Sequence, residues 1–358
     1  MNRHSWGENM TALWDLPDFD AHEAVHLFED KASGLRAVIG IHSTHLGPAA
    51  GGTRFWHYAD NGAAVTDALR LSRGMSYKNA MAGLPLGGGK GVVLANEART
   101  KTPEMLAAFG RAIESLGGKY VTAEDVGMSD ADMVNIRKET PHVAGLPTDD
   151  PTKAGGDPGP FTARGVYLGV KAAAKYRLGV DNMDGVHVAI QGIGSVGGGV
   201  ARLLAADGVK LTIADIDDIK ARSLSDETGA QIVALDQIMT VDADILSPNA
   251  LGAILTKDSI AALNVAIVSG GANNQMARPG DEQRLFDRGI LYAPDYVINA
   301  GGIINVGLEY LGDNSVDDVN KRIDIIPQRL TEIWDESEAE KTPSAVIADR
   351  MAQRLIGR

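Results

Sequence analysis

One stretch constrains this chain more than any other. Val186-His187-Val188-Ala189-Ile190-Gln191 runs into Gly192-Ile193-Gly194-Ser195-Val196-Gly197, and Lys210-Leu211-Thr212-Ile213-Ala214-Asp215 follows. The apolar run reads as a strand, and the glycines form G-x-G-x-x-G ahead of a helix. The first glycine permits a tight turn, the second lets backbone approach a pyrophosphate, and the third lets helix pack on strand. The helix N-terminus turns free N–H groups and a positive dipole toward phosphates. Asp215 falls where an acid binds the adenosine ribose hydroxyls, and an acid there repels a 2′-phosphate. NAD is therefore expected over NADP, with Gly192, Gly194, Ser195, Val196, Gly197 and Asp215 as cofactor-binding residues. The alternative is a glycine-rich turn with Asp215 capping the next helix.

Around this stretch, strands are predicted at 186–191, 210–215, 231–234, 244–247, 265–269 and 290–293, with helices at 196–207 and 218–228. That order implies a parallel sheet covered on both faces. A helix capped by Thr162, with Val166, Val170 and Ala173–Ala174 on one face, precedes it. The run PTDDPTKAGGDPGP at 147–160 marks the domain crossover. Upstream, residues 24–42 read as a hairpin and 63–73 as a helix. Thr102 and Pro103 open another helix, Ser129 caps a further one, and a strand at 119–122 delivers Asp125 to a loop. At the C-terminus, Val319, Ile323, Ile326, Leu330 and Ile333 line a helix that Pro327 should kink, and Thr342-Pro343 starts another. The fold class is α/β, with two domains around a cleft. Residues 1–147 with about 325–358 are expected to form one domain, and 148–324 a Rossmann-type NAD domain.

The first half contains a second glycine cluster, Gly74–Gly91, reading GMSYKNAMAGLPLGGGKG. It places Lys78 and Lys90 beside glycines and apolar residues, where backbone can close on a small anion; the run before Lys90 reads as a loop ahead of a short strand, Gly91-Val92-Val93-Leu94. Leu84 and Gly91 stand where a P-loop needs Gly and Ser/Thr, so nucleotide triphosphate binding is not expected. A lysine among apolar neighbours is desolvated, its pKa falls, and it can act as a general base. Lys78 could stay charged and hold a carboxylate. Spacing alone leaves open that both lysines, and Asp125, are solvated surface residues.

Composition narrows the partners. Net charge is -13, which opposes general nucleic-acid binding. Cysteine is absent, so thiolate catalysis and disulfides are excluded, compatibly with a cytoplasmic enzyme. The opening residues MNRHSWGENM lack the apolar core of a signal peptide. No run of about 20 apolar residues occurs, so no membrane span is expected. Scattered histidines suggest no metal site.

With GPAAGGTR, SYKNAMAGLPLGGGK, TAEDVG, Gly270-Gly271-Ala272-Asn273-Asn274 and APDYVINAGG in view, the chain strongly resembles the leucine/phenylalanine/valine branch of the amino-acid dehydrogenases. The resemblance covers roughly residues 35–310. It implies a hinged two-domain enzyme, a homo-oligomer, that reversibly deaminates an L-amino acid with NAD to a 2-oxo acid and ammonia. By motif, Lys90 and Asp125 are catalytic and Lys78 binds the substrate carboxylate. Gly51 lies against the substrate backbone, Asn274 helps bind substrate, Thr162 sits near the nicotinamide carboxamide, and Asn273 belongs to the cofactor site. The side-chain pocket maps to Ala50, Ala123, Ala144, Ile303 and Val306. These apolar walls disfavour glutamate and favour leucine, valine or isoleucine. The small Ala50 and Ala144 leave phenylalanine as the competing substrate. A 2-hydroxy-acid dehydrogenase would need a histidine–acid pair that the sequence lacks at matching positions. A non-catalytic NAD-binding regulator would not need Lys78, Lys90 and Asp125 together.

Overall fold

The computed structural model describes residues 13–16, 18–98, 100–312 and 315–358. The opening ten residues, read above for a leader, lie outside them. The chain divides into two compact units, 1–76 with 86–144, and 77–85 with 145–358.

The first unit holds strands β1 (Ala24–Asp30), β2 (Leu35–Ser43), β3 (Ala49–Ala50) and β4 (Thr53–Trp56), then helix α1 (Asn61–Met81) and β5 (Gly87–Leu94). Helix α2 (Pro103–Glu114), β6 (Tyr120–Val121) and α3 (Asp130–Arg137) complete it. The predicted hairpin forms, with β1 antiparallel to β2 and Ala24 opposite Ile41. The sheet order is β1-β2-β5-β3-β6, with β4 also on β5. Thr102 caps α2 through the Met105 N–H, and Ser129 forms a capping box with Asp132 on α3.

Two local expectations change. The helix predicted at 63–73 extends to Met81, so Lys78 and Asn79 are helical. Its last turn groups with the second unit. The glycine run before Lys90 is not a loop but part of β5, with Gly88 opposite Ser43 on β2 and Ala50 on β3. Packing explains why glycine is needed in this strand. A Cβ at Gly87 would lie 2.0 Å from the Ser43 carbonyl oxygen, and one at Gly88 would lie 2.1 Å from the Ser76 nitrogen. At Gly89 it would meet the Tyr120 ring at 2.7 Å, and at Gly91 the Thr53 hydroxyl at 2.2 Å.

The second unit opens with α4 (Gly159–Leu178), followed by β7 (His187–Gln191), α5 (Ser195–Ala206), β8 (Lys210–Ala214), α6 (Asp218–Thr228) and β9 (Gln231–Ile232). Then come β10 (Ile245–Pro248), α7 (Lys257–Ala262), β11 (Ile267–Val268), α8 (Asp281–Asp287) and β12 (Leu291–Tyr292). Helices α9 (Asp295–Ile298), α10 (Gly301–Leu311), α11 (Val316–Ile323), α12 (Ile326–Glu340) and α13 (Ser344–Leu355) finish the chain. The strands run in the order β12-β11-β10-β7-β8-β9, every pair parallel. This is the doubly wound sheet the alternation predicts. Its middle is dry: Val188, Ala189, Ile190, Ile213, Ile245 and Val268 are fully buried.

Thr162 is not a cap, because α4 already starts at Gly159, with proline in its first turn where no N–H partner is lost. The Thr162 hydroxyl instead donates back to the Pro158 carbonyl at 2.9 Å. Pro327 does not kink a long helix either. It stands in the first turn of α12, after α11 has ended. Residues 325–358, expected to return to the first domain, group with the second unit. There the Trp334 indole and the Ser344 hydroxyl both donate to the Tyr292 carbonyl on β12, at 2.9 and 2.8 Å. The unit boundary falls at 144/145 rather than 147/148.

Gly88→Ala tests the packing of β5. Its methyl would meet backbone on α1, which cannot swing aside, so a loss of about 1–3 kcal/mol is expected in denaturant unfolding. Gly74→Ala, where an added Cβ meets nothing within 4 Å, serves as the control and should not destabilise.

Candidate active site

In the first unit, β5 carries Lys90 into the sheet, where it is 5% exposed. Its Nζ donates to Asp125 Oδ2. Asp125 follows β6 in a loop that is stitched to β4: Thr53 N–H donates to the Ala123 carbonyl and Phe55 N–H to the Val126 carbonyl. The approach is close, since a Cβ at Gly52 would stand 2.5 Å from the Glu124 carbonyl oxygen. Gly51 is clamped in turn. Tyr120 donates to its carbonyl at 2.7 Å, and a Cβ there would overlap the Gly89 carbonyl.

Burial pulls the Lys90 pKa down, and the nearby Arg54 charge adds to this, although Asp125 opposes it. Burial works against the ionised Asp125, but Lys90, Arg54 and the Val126 N–H outweigh it and bring the carboxyl to about 2. In the sequence Arg54 stands out only as part of GPAAGGTR, yet it shares the site. Its Nε donates to Asp125 Oδ2 at 2.9 Å and its Nη1 to Asp67 Oδ2 at 3.0 Å. Tyr58 and Arg70 also donate to Asp67, at 2.7 and 2.9 Å. Beside Asp125, burial and the carboxylates of Asp130 and Asp132 push Glu124 up to about 7. The pattern gives no signal for Asp67 or Glu124, which read as ordinary helix and loop acids. Ala50 and Ala144 are buried in this unit and Ala123 is half-buried.

The second unit carries the other candidates. Gly192 turns at φ +83°, and a Cβ there would strike Ala250 at 2.4 Å. A Cβ at Gly197 would lie 2.0 Å from the Gly192 carbonyl oxygen. The protein's own packing therefore accounts for the first and third glycines. It does not account for Gly194, where an added Cβ meets nothing within 4 Å. Open space at that glycine, at the head of α5, fits a loop that a phosphate group approaches. Ser195 and Val196 open α5. Asp215 accepts from the Ile193 N–H at 2.7 Å, tying the acid to this loop. The cap of α6 is Asp217, so the helix-capping alternative for Asp215 does not hold. Gln191 Oε1 and Ser269 Oγ, at the ends of β7 and β11, are buried without a protein partner. That edge of a parallel sheet is where ligands bind.

Asn273 and Asn274 are exposed, and Asn274 adopts φ +51°. Asn299 steadies this turn by donating to Asn273 Oδ1 at 2.7 Å. Asp295 accepts from the Gln275 N–H at 3.0 Å. Burial raises the Asp295 pKa, against its backbone hydrogen bonds and the Lys78 charge. Lys78 itself is half-buried on the last turn of α1. Gly302 lets α10 approach α4, with its missing Cβ position 2.7 Å from the Thr162 hydroxyl. Ile303 and Val306 follow on α10, three residues apart and so on one face.

A doubly wound unit with a glycine-rich turn, and a unit in which a buried lysine pairs with an aspartate, fit one class: a nicotinamide-dependent dehydrogenase. Comparison with known proteins makes this particular. Residues 21–142 match the Glu/Leu/Phe/Val dehydrogenase dimerisation domain, and 213–354 match Glutamate/Leucine/Phenylalanine/Valine dehydrogenase. Leucine dehydrogenase of Bacillus subtilis (strain 168) is 43% identical over 94% of this chain and 92% of its own length. Valine dehydrogenase of Streptomyces albus is 43% identical over 94% and 93%. The crystal structure of L-tryptophan dehydrogenase from Nostoc punctiforme superposes with a TM-score of 0.85 at 40% identity, covering 94% of this chain and 96% of that one. The chain belongs to the Glu/Leu/Phe/Val dehydrogenase family. It is an amino-acid dehydrogenase, an oxidoreductase with a small-molecule substrate. Among the described residues, no helix is long and apolar enough to cross a membrane.

Gly194→Ala separates ligand approach from folding. Stability should fall by less than about 1 kcal/mol, the scale of a cap change. Dinucleotide affinity measured by calorimetry should drop about tenfold or more, because the methyl occupies the approach.

Proposed function

We propose that this protein catalyses the reversible oxidative deamination of a branched-chain L-amino acid (leucine, valine or isoleucine) with NAD, giving the 2-oxo acid and ammonia. One observation carries the catalytic half of this reading: a buried lysine on a rigid strand, hydrogen-bonded to a carboxylate that is ionised at rest. The relatives named for leucine and valine support the substrate. Asp215 supports NAD, since its charge disfavours a 2′-phosphate. The wider setting proposed is a cytoplasmic homo-oligomer whose first unit binds substrate and whose second binds the dinucleotide.

Bound NAD supplies the acceptor for the hydride on the substrate Cα. Lys78 holds the substrate carboxylate by charge, with Gly51 against the substrate backbone and Asn274 assisting. Asp125 exchanges a proton with the amino nitrogen and stabilises the positive charge of the imine. Neutral Lys90 takes a proton from the water that attacks the imine carbon, then returns it as ammonia leaves. Thr162, Asn273, Ser195 and Val196 with the three fingerprint glycines belong to the dinucleotide. Ala50, Ala123, Ala144, Ile303 and Val306 select the side chain.

A second reading, preference for phenylalanine or another aromatic amino acid, is favoured by one feature. Ala50 and Ala144 are small, and a solved relative 40% identical is an L-tryptophan dehydrogenase. One methylene discriminates by only about 1–3 kcal/mol in an apolar pocket, so the two classes overlap.

The test is NADH formation with leucine, valine, isoleucine, phenylalanine, tryptophan and glutamate, with NADP run beside NAD. Turnover with the branched-chain substrates should lead, glutamate should be inert, and NADP should serve poorly. A lead for phenylalanine or tryptophan would pass the pocket to the second reading. Lys90→Ala should lower kcat by about a hundredfold or more. Because burial lowers the Lys90 pKa and the neutral amine is the active form, deamination should rise as pH climbs through that pKa. A profile flat from neutral to strongly alkaline pH contradicts Lys90 as base. Ala50→Leu should reduce phenylalanine turnover more than leucine turnover, and equal losses would remove Ala50 from the pocket.

A further inference from the structure

The Lys90–Asp125 pair raises a difficulty that the base role does not solve. Lys90 must pass between ammonium and neutral amine, and each loss of its proton takes one cation away from Asp125. A half-buried carboxylate left alone would tend to take up a proton. The structure contains a second cation on the same oxygen. Arg54 Nε and Lys90 Nζ both donate to Asp125 Oδ2. A guanidinium does not lose its proton in a protein, so this contact persists in either state of Lys90.

Arg54 is held in place independently of Lys90. Its Nη1 reaches Asp67 Oδ2 at 3.0 Å while its Nε reaches Asp125 at 2.9 Å. One planar fork spans two carboxylates, a geometry a lysine cannot reproduce. Asp67 and Arg70 lie three residues apart on α1, so they share a face and pair there. Although burial disfavours an ionised Asp67, the hydrogen bonds from Tyr58 and Arg70 and the charges of Arg54 and Arg70 hold it below the usual carboxylate range. Asp67 is therefore a fixed anion and Arg54 a fixed cation.

We propose that Arg54 is a positioning residue that keeps Asp125 an oriented anion in both protonation states of Lys90, with Asp67 as its anchor. The inference rests on the reading of Lys90 as the general base. The charges set the signs. Arg54 disfavours the Lys90 ammonium and favours the Asp125 carboxylate, whereas Asp67 favours the Lys90 ammonium. The other ionisable groups coupled to the pair are Tyr58 and Tyr120, both raised by burial and by nearby carboxylates. Both stay neutral across the working range. Glu124, the next acid along the loop, titrates near neutrality and is carried unchanged through every variant.

The experiment is the pH dependence of kcat/KM for leucine deamination by the full-length enzyme with NAD, from about pH 6 to about pH 10.5, in wild type, Arg54→Met, Arg54→Lys and Asp67→Asn. A second readout needs no turnover: the rate at which acetic anhydride modifies Lys90 as pH rises, followed by mass spectrometry. In Arg54→Met the rising limb of the profile should move to higher pH, and kcat/KM at neutral pH should fall about a hundredfold. The Lys90 modification midpoint should rise with them. Asp67→Asn should move the Lys90 midpoint the other way, to lower pH. Arg54→Lys should restore the acid limb while kcat stays about tenfold down, because charge returns without the two-carboxylate fork.

An unchanged rising limb and midpoint in folded Arg54→Met would overturn the proposal. So would Asp67→Asn shifting in the same direction as Arg54→Met, the mark of general loosening. If Arg54→Met does not fold, the lowered Lys90 midpoint of Asp67→Asn beside the unshifted limb and lowered kcat of Arg54→Lys decides the matter. Failure of the base reading is a separate result. It appears as full activity in Lys90→Ala, and the modification midpoints then still report whether Arg54 and Asp67 govern this pair.

Discussion

The first unit depends on one constraint: a lysine is placed in the middle of a strand that has almost no side chains around it. β5 reads Gly87-Gly88-Gly89-Lys90-Gly91, and residues of β2, β3, β4, β6 and α1 press against those glycines. The strand is pinned from both sides, so Lys90 has little freedom to reach water. Desolvation and rigidity thus have the same origin. A more ordinary strand with valine or leucine beside Lys90 would force β2, β3 and α1 outward and admit solvent. The glycines build the chemistry indirectly, by allowing the surroundings to close. The charge cluster follows from this closure, because a buried ammonium needs a carboxylate and the carboxylate meets Arg54 and Asp67 in turn.

Glycine in the second unit works differently at each position. Gly192 and Gly197 serve the turn and the packing of helix on strand, and both would be needed without a ligand. Gly194 faces open space at an ordinary negative φ, so neither conformation nor packing asks for it. What remains is the approach of something outside the chain. Asp215 adds the complementary feature. Its carboxylate takes the Ile193 N–H from the middle of the loop, so the acid that would meet a ribose also fixes the loop that would meet the phosphates.

Much of this was legible in the sequence, and the omissions have physical reasons. Parallel strands buried on both faces leave short apolar runs with turns between them, so the second sheet could be read in order. Lys90 was legible as a chemical group but not as part of a strand. A glycine run normally signals a loop, and only the surrounding segments make it extended. Thr162 and Pro327 misled because cap and kink signals are local, whereas helix ends are set by where neighbouring elements stop. The C-terminal helices carry an apolar stripe that would suit either unit. Their docking on the second is fixed by two donors sharing the Tyr292 carbonyl, a long-range pairing that no spacing encodes. Arg54 and Asp67 were missed because they meet through the fold, from β4 and α1.

The proposed pocket wall and the proposed catalytic pair share backbone in the first unit, and this limits how either can change. Ala50, Gly51, Gly52, Thr53 and Arg54 are consecutive. The first is a proposed pocket wall and the last touches Asp125. Between them, Gly51 is locked against Gly89, and Thr53 is bonded to Tyr120 and Thr122 at 3.2 and 2.7 Å. A larger side chain at Ala50, which is buried, pushes on a segment with no slack. Side-chain preference can be altered cheaply only at walls outside this segment. Of the proposed walls, Ile303 and Val306 meet that condition, because they stand on α10, away from this segment in the chain.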